Sequence, residues 1–87
     1  MLHRNRIQVT SEESNKLSKL SYLAIRYENL FHQAAKHNKA TLEHAALYIN
    51  AAVELETFRE ELQNKYPVLR KVNVFYFNYG DNYFYFE

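Results

Sequence analysis

The chain contains no cysteine, no tryptophan, one glycine (Gly80) and one proline (Pro67) in 87 residues. Without cysteine there are no disulfides, no thiolate metal sites and no cysteine nucleophile. That composition suits a reducing compartment, and a cytoplasmic location is the expectation. A single glycine cannot build a glycine-rich phosphate loop, and so little Gly and Pro argues against flexible linkers. No apolar run approaches the roughly 20 residues of a membrane-spanning helix. The basic start Met1-Leu2-His3-Arg4-Asn5-Arg6 leads into no apolar core, so no signal peptide is expected. Charge of neither sign dominates: the formal net charge is +1, which gives no global pull toward nucleic acid or membrane. The length expects one small domain, 1–87, with a limited core and no internal repeat.

What the chain does have is aromatic side chains, 16% of all residues, gathered at its C-terminal end. Residues 71–79 and 82–87 read as two strands, because Val, Phe and Tyr alternate and suit a pleated surface. Gly80-Asp81 between them suits a two-residue hairpin loop, since Gly takes the first central position of a II′ turn without steric cost. That loop sets the register: Phe77 faces Phe84, Tyr76 faces Tyr85 and Phe75 faces Phe86. One face then collects Phe75, Phe77, Phe84 and Phe86, and the other collects Val72, Val74, Tyr76, Tyr83 and Tyr85. A slip of one residue would mix the two sets. The Phe face is the expected core, each buried Phe contributing roughly 1.5–3 kcal/mol. The Tyr face is amphipathic, and Tyr76, Tyr83, Tyr85 and Val74 are the candidate interface residues. An isolated hairpin is marginal in water, and an uncharged aromatic edge aggregates. The hairpin must therefore be covered by the rest of the chain, by a second copy or by a partner.

Residues 4–9 alternate and form a possible first strand. Thr10-Ser11-Glu12-Glu13 has the form of a capping box and starts a helix over 11–37. Leu17, Leu20, Leu23, Ala24, Tyr27, Leu30, Phe31, Ala34 and Ala35 fall at three-and-four spacing on its apolar face. A break is expected around His37-Asn38-Lys39; without it the helices would fuse into a rod of about 55 residues, about 80 Å long. Thr41 caps a second helix over 41–65. Its apolar face is read as Leu42, Ala45, Ala46, Ile49, Ala52 and Val53, widened by Tyr48, Leu55, Leu62 and Tyr66. Pro67 ends it. Past its first turn the first helix is mostly basic, with Lys16, Lys19, Arg26 and Lys36. The second is mostly acidic, with Glu43, Glu54, Glu56, Glu60 and Glu61. That favours packing of one on the other, within a chain or between two.

Arg26-Tyr27-Glu28-Asn29-Leu30-Phe31-His32 resembles the Arg-x4–6-His motif of HEPN-type ribonucleases, over seven residues. The resemblance implies RNA cleavage with Arg26 and His32 at the site. Tyr27 stands where that motif usually has a polar residue. Six residues of helix turn through about 240° beyond a full turn, so the two side chains share a face only with help from a second copy. His32 and His37 are five apart, not the four that puts two ligands on one face. No Ser/His/Asp arrangement is legible. No enzyme, metal or cofactor is expected. Arg4, Arg6, Arg70 and Lys71 flank the aromatic strands and are the candidate nucleic-acid contacts, since cations beside exposed rings can hold stacked bases. Asp81 and Glu87 would repel phosphate.

These observations predict an α+β fold, a helical hairpin followed by an aromatic β-hairpin, with the N-terminal strand joining an antiparallel sheet. Counting directions through two helices has the second strand run opposite to the first. The expected function is a small non-catalytic protein–protein interaction module. It would act through the aromatic hairpin as a homodimer, regulating or inhibiting a larger protein, at a size common among bacterial and phage accessory proteins. The alternative is a small RNA-binding or HEPN-like RNA-cleaving regulator.

Overall fold

The structure, a computed structural model, describes residues 5–72, 75–77 and 82–86, with 76 and 77 described in their backbone alone. A short strand, β1 (Asn5–Gln8), leads into helix α1 (Ser11–Lys36), which is followed by helix α2 (Leu42–Lys65). A 3-10 turn, Pro67–Lys71, then precedes β2 (Phe75–Phe77) and β3 (Tyr83–Phe86). Lys71, expected to open a strand, closes this turn instead.

Each helix boundary has a local chemical cause. At the start of α1 the Thr10 hydroxyl accepts from the Glu13 backbone N–H at 3.1 Å, while the Glu13 carboxylate accepts from the Thr10 N–H at 2.9 Å. At its end Asn38 sits at φ 57, the left-handed region that Asn tolerates better than most residues. Its N–H donates to the carbonyl of Ala35 at 3.1 Å, and the Lys39 N–H donates to that of Ala34 at 2.7 Å. Those two reversed bonds form a Schellman motif, which stops the helix and keeps the two helices from fusing.

α2 opens on a second capping box in which an imidazole replaces the usual carboxylate. The Thr41 hydroxyl accepts from the His44 N–H at 3.3 Å, and His44 Nδ1 accepts from the Thr41 N–H at 3.2 Å. Thr41→Ala removes one half of this cap and should cost about 1 kcal/mol. Urea unfolding of parent and variant side by side measures it, and equal midpoints would mean the box does not hold the helix start.

The sheet order is β1-β3-β2, with every neighbouring pair antiparallel. β2 pairs with β3 as the sequence predicts: Phe75 with Phe86, Tyr76 with Tyr85, Phe77 with Phe84. The loop expected at Gly80-Asp81 lies outside the described residues. The direction count is corrected. β1 and β2 are both antiparallel to β3, so they run parallel to each other on its two sides. The count let α2 feed β2 directly. The 3-10 turn Pro67–Lys71 stands between them and uncouples the strand's direction from the helix's. β3, last in the chain, is thereby the central strand. Its ladder with the N-terminal segment continues in a bond from the Val9 N–H to the Asn82 carbonyl at 2.8 Å.

The described part of the Phe face is core, while the side chain of Phe77, also expected there, lies outside the described residues. Phe75, Phe84 and Phe86 are buried with Val9, Leu17, Phe58, Leu62 and Leu69. The Phe75 and Phe84 rings lie 5.4 Å apart, and the Arg59 guanidinium covers Phe75 at 4.3 Å. The sheet thus packs on the start of α1 and the end of α2. The other half of the helical hairpin reaches past it, held by buried Ala24 and Ala51 and by the Phe31 and Tyr48 rings at 5.7 Å. Among the described residues no helix is long and apolar enough to cross a membrane.

Candidate protein-interaction site

The outer face of the sheet follows from the register. Arg6 pairs with Tyr85 and Gln8 with Tyr83, so these four side chains share the face opposite the Phe core, and position 76 lies across from Tyr85. Along one face, diagonal neighbours of adjacent strands are within reach of long side chains. The Arg6 guanidinium uses that diagonal and stacks over the Tyr83 ring at 4.3 Å, a cation–π contact. The Tyr83 and Tyr85 ring centres are 6.5 Å apart, and both residues are half-buried. The face is therefore a row of one guanidinium and two phenols.

Of the other candidate residues, Val74 and Arg4 lie outside the described residues, and of Tyr76 only the backbone position is described. The Arg70 guanidinium donates to the Asn64 side-chain oxygen, which holds it against α2. Lys71 is exposed at the end of the 3-10 turn. Arg6 and Arg70, grouped by sequence as nucleic-acid contacts, are thus tied to different elements.

The three described histidines sit in local structure. His44 caps α2. His37 caps the end of α1, its N–H reaching the carbonyls of Gln33 and Ala34. His32 is 3.7 Å from Glu28 and lies against the Phe31 and Tyr48 rings. Arg26 instead contacts the Tyr22 hydroxyl at 3.4 Å, one turn back on α1. Among the described residues no group of three or more metal-ligating side chains gathers.

The strongest electrostatic feature lies between the helices. Glu13 accepts from the Tyr66 hydroxyl at 2.6 Å and pairs with Lys65 at 2.8 Å, in addition to its bond from Thr10. Partial burial alone would raise its pKa. The Lys65 ammonium, the Thr10 N–H and the Tyr66 hydroxyl outweigh burial and hold it at about 2. Burial and the bond to Glu13 push the Tyr66 phenol up. This node ties the start of α1 to the end of α2, which is a structural role.

The helix surfaces depart from the sequence expectation. In α2 the inward residues are Ala51, Phe58 and Leu62. Leu42, Ile49 and Val53, expected on the packed face, are 89%, 58% and 57% exposed. On α1, Leu30 was likewise expected inside and is exposed, together with Tyr22 and Ile25. The first half of α2 is apolar all round, a pattern of helices buried on every side, and the Phe face of the sheet covers only one side of the helical layer. α2 thus carries two interleaved apolar sets, and the rest of the described fold covers only the one with Ala51, Phe58 and Leu62. The signal was available: Leu42, Ala46, Ile49 and Val53 are spaced four, three and four. No known protein family matches the chain, nor does any curated protein or solved structure.

Proposed function

We propose that the chain is a small non-catalytic interaction module, a cytoplasmic regulator or inhibitor that binds a larger protein through the outer face of its sheet. The observation that carries this reading is the row of Arg6, Tyr83 and Tyr85 on the face turned away from the core. Tyr and Arg are the residues most enriched among interface hot spots, because each joins a large flat surface to hydrogen-bonding ends. The same row suits single-stranded RNA less well. Base stacking needs an open ring face, and the Arg6 guanidinium occupies one face of Tyr83. Arg70, which would help track a phosphate backbone, is drawn to Asn64 instead.

Capture of the bound protein from the native host, followed by titration with single variants, tests the proposal. Tyr83→Ala and Tyr85→Ala should keep the circular dichroism of the parent, and at least one should weaken binding by about 2 kcal/mol or more, roughly thirtyfold. Arg6→Ala should act mainly on the association rate and its salt dependence. RNA binding whose salt slope flattens in Arg70→Ala and Lys71→Ala would favour the alternative. Normal partner binding by both Tyr variants would remove the sheet face from the mechanism.

A further inference from the structure

We infer that a second copy of this chain docks on the outward seam of α2, antiparallel and about a two-fold axis. The seam is the row Leu42, Ala46, Ile49, Val53, Glu56, Glu60, spaced four and three in alternation, which is heptad spacing. Its first four positions are apolar and exposed. Its last two are acidic and exposed. The seam's composition fixes the direction of pairing. Parallel helices would set Glu56 against Glu56 and Glu60 against Glu60, like charges side by side. Antiparallel helices centred between Ala46 and Ile49 set Leu42 against the partner's Val53 and Ala46 against the partner's Ile49, so the whole apolar stretch is covered.

The same register disposes of the acids. Glu56 lies about 13 Å along the helix from that centre, at 1.5 Å per residue. On the other side α2 begins about 8 Å from that centre, so the turn between the helices lies just beyond it, near the level of the partner's Glu56. Lys39 in that turn, with Lys36 of the last turn of α1 behind it, therefore comes to the end of the seam where the partner's Glu56 and Glu60 lie, at both ends of the two-fold. All four side chains are exposed, and among the described residues none is in an ion pair within the chain. An isologous contact of this kind closes at two copies. It leaves the outer sheet face of both copies open, so it stands whether or not the Tyr row binds a partner.

Sedimentation equilibrium of the full chain at micromolar concentration tests this inference. The parent should be a dimer, and Ile49→Glu should raise its dissociation constant at least about tenfold. Because Ile49 is 58% exposed in the single chain, the variant should melt as a folded monomer. Glu56→Lys with Glu60→Lys, and separately Lys36→Glu with Lys39→Glu, should each weaken the homodimer. An equimolar mixture of the two should recover a dimer containing one of each, since every acid–base contact is then restored. The cysteine-free chain adds a test of direction: Leu42→Cys mixed with Val53→Cys should oxidise to the mixed disulfide, whereas a parallel seam would link each variant to itself. A monomeric parent, an unaffected Ile49→Glu dimer, or a charge-reversed mixture that stays monomeric would overturn the inference.

Discussion

Phe84→Ala should lower the stability of the fold by about 3–5 kcal/mol, the usual cost of emptying a fully buried phenylalanine site. Phe84 has no solvent exposure, and it sits on the central strand, with a hydrogen-bonded neighbour on each side. In register it lies between Ile7 of β1 and Phe77 of β2. Its ring meets Phe75 at 5.4 Å, in the cluster that also takes in Leu17, Phe58, Leu62 and Leu69. Truncation therefore loosens the sheet and its contact with both helices together. A domain of this size has about 5–15 kcal/mol in total. The melting temperature should fall by more than about 10 °C, at the few degrees per kcal/mol expected of small domains. Tyr85→Ala, one residue on and facing the other way, should cost far less. Comparable losses in the two variants would mean that the faces of β3 are wrongly assigned.

The parts of the fold legible in the sequence are those specified over a few residues. The Phe and Tyr of the last two strands sort by face only in one register, and that register is observed. Thr10 and Glu13 are three apart, and their capping box needs nothing from the rest of the chain. The helix break was visible at Asn38, though not the bond geometry that makes it. What escaped depends on distant residues. Tyr66 and Glu13 are 53 positions apart, and nothing local marks them as partners. β3 is central because the N-terminal segment, rather than a neighbour in sequence, takes its second edge. The α2 faces were misassigned because periodicity marks apolar stripes without saying which one the protein's small sheet will reach. The cap at His44 was not legible, because a box with imidazole in the acceptor's place departs from the usual Thr-x-x-Glu pattern. The outer sheet face was legible as a row of tyrosines, but the placement of Arg6 over Tyr83 needed the pairing of β1.

Acidification should act on the fold through Glu13, and Glu13→Gln should blunt that response. The folded carboxyl titrates at about 2 against an ordinary 4.5, so the native state holds this proton more weakly than the unfolded chain does. Its contribution is therefore fully present above pH 4.5 and is lost as the pH falls through the window between 4.5 and about 2. Lys65 is more than half exposed, and solvent screens part of the pair, so the loss is on the order of 1–3 kcal/mol. Other carboxylates also titrate in this range, which is why the difference between parent and variant is the useful quantity. A glutamine can still accept from Thr10 and Tyr66 but cannot pair with the Lys65 charge. The variant should be the weaker protein at neutral pH, and the two stability curves should converge toward pH 2. Tyr66→Phe removes only the 2.6 Å bond and should raise the Glu13 pKa while leaving the lysine pair in place. Denaturant midpoints across the acid range, with the Glu13 carboxyl followed by NMR, decide the matter. A carboxyl that titrates near 4.5, or curves that stay parallel to pH 2, would mean that the two helices are not joined through this residue.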